Sequence, residues 1–329
     1  MLSVDTRNNL LTSDLLLPDS NKLLDSYELG LLLGEGLSGV VRKAVRKSDK
    51  MAVAIKFIRK SSYAITHWKF DRKLGTTVPM EIFILQRLNH PGIVTFIEMI
   101  EDPDYFYLVM ELCGSKSQSK NLKPENLTKP TLELSLSYHE RWVPSSPIIS
   151  PRRSSLDLFD FIDTNSLFPE DKIKHIFRQV AEAILYLHRN NLVHRDIKDE
   201  NIVIDDKLNT KLVDFGVAHK IPSTKREYFH SFRGTLLYTP PEIIANPIHR
   251  GPEADMWCLG VLLFTLSYSK LPYLSIENIS KNIVSPKMIV RSKELQSLID
   301  SLLCRDVPAR LTIEQTIKHP WLGHTTKVE

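Results

Sequence analysis

Cysteine is scarce in this 329-residue chain: Cys113, Cys258 and Cys304 are odd in number and far apart, which fits neither a disulfide framework nor zinc-ligand spacing. A reducing compartment is expected. Excess charge is also missing, since a net charge of +4 at this length gives no reason to expect nucleic-acid or membrane partners. Long apolar runs are absent too. Met256 to Leu266 is the longest, about half of the roughly 20 residues that a bilayer crossing needs, and is expected to be a buried helix. The N-terminus carries Asp5, Arg7 and Asp14 among its leucines, with no uninterrupted apolar core before a small-residue cleavage site, so no secretory signal is read. These absences point to the cytoplasm or nucleus, and a monomer is expected.

What is present is an ordinary globular composition, 42% hydrophobic and 25% charged, with two textures. Residues 1–26 are leucine-rich but irregular. From Tyr27, segments 28–34, 39–46, 51–59, 94–101 and 105–111 are rich in β-branched and aromatic residues and bounded by turns such as Asp102-Pro103-Asp104, which predicts five antiparallel strands. One helix, around 78–88, interrupts them. From about 156 helical periodicity takes over: Ile173, Ile176, Phe177, Val180, Ile184 and Leu187 form a stripe behind Pro169. Between the halves, 113–155 is serine- and proline-rich with no sustained period and reads as an insertion. The fold class is therefore α+β: a small lobe of a five-stranded antiparallel sheet plus one helix (27–112), then a larger helical lobe (156–322) and a short tail (323–329).

The chemistry-bearing motifs come in a fixed order. Gly34-Glu35-Gly36-Leu37-Ser38-Gly39-Val40-Val41 sits between two predicted strands, not between a strand and a helix, which disfavours a dinucleotide site and favours a flap over phosphates. Val53-Ala54-Ile55-Lys56 follows on a strand, and Glu81 on the single helix. Alone, Lys56 could be a strand-end surface lysine; the glycine loop upstream argues for phosphate contact. Then come His194-Arg195-Asp196-Ile197-Lys198-Asp199-Glu200-Asn201 and Asp214-Phe215-Gly216. Isolated, such a charged trio could equally be a structural ion-pair knot. Later landmarks are Gly234-Thr235, Pro240-Pro241-Glu242, Asp255-Met256-Trp257 and Arg310.

In this order the motifs of residues 27–322 resemble the eukaryotic protein kinase catalytic domain over about nine-tenths of the chain. The resemblance implies a bilobal fold and an ATP-dependent protein serine/threonine kinase using Mg²⁺, with Mn²⁺ as a substitute cation, on protein substrates. It implies that Asp196 accepts the substrate hydroxyl proton, that Lys198 contacts the γ-phosphate, that Lys56 contacts the α- and β-phosphates with Glu81 fixing its rotamer, and that Asn201 and Asp214 bind the metal. Leu33, Val41, Ala54 and Val203 would sandwich adenine, with Met110 as gatekeeper and the backbones of Glu111 and Cys113 pairing with the base. His194, Phe215, Leu85 and Phe96 would stack between lobes. Glu242 and Arg310 would form a buried ion pair, and Asp255 would hold the catalytic-loop backbone.

Asp199, in place of the usual proline, together with Asp71-Arg72-Lys73-Leu74-Gly75-Thr76 and Leu156-Asp157-Leu158-Phe159-Asp160-Phe161-Ile162, is similar to PAS-domain-containing kinases and more loosely to PIM kinases. Nutrient-linked signalling is then expected by analogy. With 26 residues before the domain no PAS module is expected, and sensory regulation should not carry over. Pro240 departs from the usual alanine. Asp157, Asp160 and Glu200 match positions that receive upstream arginines in basophilic relatives, with Thr235 beside the acceptor; Asp157 and Asp160 could instead be a solvated helix face. Ser223, Thr224, Tyr228 and Ser231, and Ser146, Ser150, Ser154 and Ser155 in the insertion, are candidate phosphorylation positions, or merely loop solvation. The alternatives are a pseudokinase scaffold, which should have lost Lys56, Asp196 or Asp214, and a small-molecule kinase, which should lack the later landmarks.

Overall fold

The computed structural model describes residues 21–36, 39–62, 68–114, 157–165, 167–222, 228–230, 234–287 and 289–323. Residues 115–155 of the insertion and most of the candidate phosphorylation positions lie outside them; Tyr228 is described and exposed.

The β-branched and aromatic segments pair as expected. Strands β1 (Tyr27–Gly36), β2 (Gly39–Arg46), β3 (Ala52–Arg59), β6 (Phe96–Glu101) and β7 (Tyr105–Glu111) form an antiparallel sheet in the order β1-β2-β3-β7-β6. Central strand β3 has Val53 to Ile58 buried, so Lys56 reaches the interior from within an apolar run. Gly39 closes the β1–β2 turn at φ +131°, and a Cβ there would meet the Phe57 carbonyl oxygen at 2.2 Å.

Two short helices and a hairpin depart from the expectation. Helix α1 (Asn21–Ser26) lies where irregular chain was expected; it is too short to persist alone and is held by Leu23, wholly buried beside Tyr27 and Val53. Hairpin β4 (Trp68–Asp71) and β5 (Thr76–Pro79) runs straight into helix α2 (Met80–Leu85), which spans six residues where about eleven were expected.

The second lobe is mainly helical: α3 (Leu158–Thr164), α4 (Glu170–Arg189), α5 (Pro241–Ala245), α6 (Pro252–Tyr268), α7 (Ile276–Lys281), α8 (Lys293–Leu302) and α9 (Ile313–Ile317). The α4 stripe from Ile173 to Leu187 is buried. Every residue of α6 from Ala254 to Tyr268 is buried, as a helix apolar on all sides requires. Gly260 lets α8 approach, since a Cβ would meet Leu302 Cβ at 2.9 Å. Among the described residues no helix is long and apolar enough to cross a membrane.

Candidate active site

The cleft floor is a chain of short elements. Strand β8 (Leu192–Val193) leads into loop 194–198, a 3₁₀ turn (Asp199–Asn201), and hairpin β9 (Ile202–Ile204) with β10 (Thr210–Leu212). Val213 N–H donates to the Asn201 carbonyl at 2.9 Å, so the hairpin brings Asn201 and Asp214 to adjoining positions although thirteen residues apart in sequence.

This floor hangs from α6. Asp255 is fully buried and accepts from His194 N–H at 3.0 Å and Arg195 N–H at 2.9 Å, with His188 Nε2 at 3.0 Å. Arg195 (φ 69°) and Asp214 (φ 58°) occupy left-handed backbone that non-glycine residues seldom adopt; Arg195 is held there by Asp255, and Asp214 by Lys56 Nζ and the Gly216 N–H. His194 is buried edge-on against Phe215, centroids 4.9 Å apart; its Nε2 faces the Val213 carbonyl and must donate, while Nδ1 accepts from Asp196 N–H. Both ring nitrogens are thereby occupied, and the ring is packing. Leu85 and Phe215 share one apolar cluster with Phe96 against it.

Asp196 has both carboxylate oxygens engaged. Oδ1 accepts from Thr235 N–H (3.0 Å) and Oγ1 (3.1 Å), Oδ2 from Asn201 Nδ2 (2.9 Å), and Lys198 Nζ is 3.6 Å from Oδ2. Lys198 Nζ also lies 3.3 Å from Glu200. Burial alone would lower the Lys198 pKa, but Asp196 and Glu200 outweigh it and raise it, so the ammonium stays charged.

Opposite, Lys56 Nζ, almost wholly buried, donates to both Glu81 oxygens (2.7 and 2.9 Å) and to Asp214 Oδ1 (2.8 Å). Burial opposes both acids' charges. At Asp214 Lys56 and the Gly216 N–H prevail and hold the carboxyl well below the usual range; at wholly buried Glu81 desolvation prevails and raises it. The wall beside Lys56 is β2–β3–β7, with Ala54 paired to Met110 and to Lys43, and Val41 paired to Lys56. Leu33, Ala54 and Met110 are buried, Val40, Val41 and Val203 half-buried, and Leu37 and Ser38 lie outside the described residues. Gly34 has open space where a Cβ would stand, the cradle a closely approaching phosphate group needs.

The residue set fits a hard cation: the Asp214 carboxylate and the Asn201 amide oxygen are two oxygen donors, and Mg²⁺ is ordinarily held by one or two such side chains with phosphate and water completing the shell. No group of three or more His, Cys, Asp or Glu among the described residues could form an all-protein cage.

Glu242 and Arg310 form a bidentate pair at 2.7 and 2.9 Å; Arg310 also donates to the Cys304 and Glu253 carbonyls and stacks over Trp257. Asp157 requires a revised reading. It is 5% exposed, and its carboxylate accepts from Asp160 N–H at 2.8 Å as the N-cap of α3, so it is not the exposed acid that was expected, whereas Asp160 and Glu200 are both half-buried.

Three links and one perturbed thiol escaped the sequence. The Glu111 side chain ties the lobes, accepting from Thr95 N–H and Oγ1 (both 2.7 Å) and Lys211 Nζ (2.8 Å). Cys113 beside it is pushed up to about 12 by burial, so its thiol stays protonated. Asp199 accepts from Tyr238 O–H at 3.0 Å, linking the catalytic loop to the segment after Thr235. The Arg195 guanidinium lies 4.0 Å over the Phe229 ring, and Phe229 pairs through its backbone with His249. Only long-range contacts report these links. A separate groove of about 900 Å³ between α8 and the segment carrying Lys287, Ile289, Val290 and Arg291 holds none of these groups.

The family model for the protein kinase domain matches residues 27–137 and 148–322. The chain is 35% identical over 290 residues to the mouse PAS domain-containing serine/threonine-protein kinase, covering 88% of this chain and 18% of that protein. It is 35% identical over 303 residues to fission-yeast serine/threonine-protein kinase ppk6, with 90% and 33% covered. Human NUAK family SNF1-like kinase 1 is 31% identical over 307 residues, with 92% and 39% covered. The chain thus spans between about a fifth and two fifths of the length of these relatives.

Proposed function

The chain belongs to the protein kinase domain family, and on that premise we propose that it transfers the γ-phosphoryl group of ATP to serine or threonine hydroxyls of proteins. The observation that carries this reading is the assembled triad in which Lys56 bridges Glu81 and Asp214. None of Lys56, Asp196 and Asp214 is replaced, which speaks against a scaffold without activity.

The substrate oxygen attacks the γ-phosphorus, the bond to the β,γ-bridging oxygen breaks, ADP leaves, and the hydroxyl proton passes to Asp196. Thr235 and Asn201 fix the Asp196 rotamer, so the base is aimed before substrate arrives; such positioned bases contribute about 10²–10⁴-fold. Lys198 stays cationic beside it and stabilises charge on the transferring group. Lys56, oriented by Glu81, would meet the α- and β-phosphates. Asn201 and Asp214 would hold Mg²⁺, which when bound neutralises phosphate charge during transfer.

For substrates the proposal is a preference for arginine upstream of the acceptor, supported by half-buried Asp160 and Glu200. A positional peptide library with labelled ATP tests both parts: signal on serine or threonine peptides enriched for upstream arginine supports the reading, and flat positional signal removes the specificity. The proposal extends to a monomer in the cytoplasm or nucleus and, by analogy alone, to nutrient-linked signalling. Light scattering showing a dimer, imaging in the secretory pathway, or substrate phosphorylation indifferent to nutrient supply would remove those parts in turn.

A further inference from the structure

Helix α2 presents Glu81 to Lys56, yet little within the helix itself explains its position. Six residues are far below the roughly 12–15 at which an isolated helix persists in water, and Pro79 at its N-cap provides no side-chain hydrogen bond. Its placement must come from neighbours. Met80, Ile82, Ile84 and Leu85 pack into the core, but apolar packing alone leaves sliding and rotation only loosely determined.

The β4–β5 hairpin supplies the missing direction. Asp71, at the end of β4, is 0% exposed, and its carboxylate is filled from two sides. Oδ1 accepts the backbone N–H groups of Lys73 (2.8 Å) and Leu74 (3.2 Å), closing the hairpin turn completed by Gly75 at φ +68°. Oδ2 accepts from Gln86 Nε2, at the C-cap of α2, and from Arg87 NH1 at 2.6 Å. Arg87 is further fixed by lying 3.7 Å over the Phe83 ring. Meanwhile β5 runs through Pro79 directly into the first residue of α2. The helix is therefore gripped at both ends: covalently by β5, and by one buried carboxylate at the far end.

We propose that Asp71 is a positioning residue that latches the C-terminal end of α2 to the β4–β5 hairpin and thereby holds Glu81 in register with Lys56. It touches neither ATP nor substrate and acts through Glu81, so its catalytic consequence rests on the kinase reading above. Unlatched, α2 keeps its apolar face but gains freedom to swing about Pro79, and the Lys56–Glu81 contact is made only part of the time.

The test uses the full chain with Asp71→Ala and, on the helix side, Gln86→Ala combined with Arg87→Ala. Hydrogen exchange of residues 80–87 needs no activity and reads the latch directly. The expected result is exchange there faster by about tenfold or more, with α4 and α6 unchanged. Kinetics then read the consequence: kcat falls about tenfold, peptide KM shifts less than about twofold, and in a Glu81→Gln background Asp71→Ala costs less than about twofold more, because the group it acts through is already disabled. Unchanged exchange in either variant, or losses from Asp71→Ala and Glu81→Gln that simply multiply, would overturn the proposal. If Asp71→Ala does not fold, the Gln86/Arg87 double variant gives the same readouts from the half-exposed end. If the wild-type chain transfers no phosphate, the kinase reading fails while the exchange measurement still decides the latch.

Discussion

The two lobes solve one problem, holding charged groups still, with opposite means. In the second lobe Asp255 and the Glu242–Arg310 pair are mounted on or against α6, seventeen residues long and buried almost all round. In the first lobe Glu81 sits on a six-residue helix, and its network runs through Lys56 on a strand to Asp214 in the other lobe. The substrate-side frame is thus part of the hydrophobic core, while the ATP-side frame is assembled from separate pieces. Damage to the first should appear as lost stability, and damage to the second as lost activity in a protein that stays folded.

The largest effect expected from this contrast is at Glu242. Glu242→Ala leaves the Arg310 guanidinium, 1% exposed and unable to lose its proton, without its carboxylate, at a cost of about 3–5 kcal/mol in chemical denaturation. An unchanged midpoint would break the contrast. Next is Lys56→Met, expected to lower kcat about 100-fold, or ~2.7 kcal/mol, with a smaller loss of stability than Glu242→Ala, because Glu81 can take up a proton where Arg310 cannot shed one. Smaller again, Asp160→Ala should cut the preference for an arginine peptide about fivefold, or ~1 kcal/mol, in kcat/KM comparisons, leaving peptides without arginine unaffected.

The smallest effect concerns pH. Because the folded Asp214 carboxyl lies below its unfolded value, the stability it contributes is fully present above the unfolded value near ~4 and is lost only as pH falls through the depressed folded value. Carboxyl NMR should therefore show no titration of Asp214 between about pH 8 and 4. A titration inside that window would mean that the Lys56 contact is not maintained.

How much could be read from residues alone follows the same division. Motif positions were legible because phosphate handling demands particular side chains at short spacing: Gly34, Gly36 and Gly39, or Asp196 and Asn201. Strand β3 and the α4 stripe were legible from β-branched runs and a 3.6-residue period. The pieces that orient those groups were not. Hairpin β4–β5 consists of two four-residue strands, too short for a period to register, although Asp71 followed by Gly75 was a turn signal. Asp157 was read by its charge when its place before an apolar helix already marked an N-cap. The Glu111–Lys211 and Asp71–Arg87 contacts join residues whose separations carry no local pattern.

Phosphoryl transfer is decided by moving label from γ-³²P-labelled ATP to an arginine-containing serine peptide with wild type and with Asp214→Asn, with Mg²⁺ titrated and folding of both verified by thermal melts. Mg²⁺-dependent phosphoserine is expected with wild type, and a loss of about 10³-fold or more in the variant at a nearly unchanged melting temperature. Equal labelling by the two proteins, or no labelling by a folded wild type across a serine and threonine peptide library, would contradict that expectation.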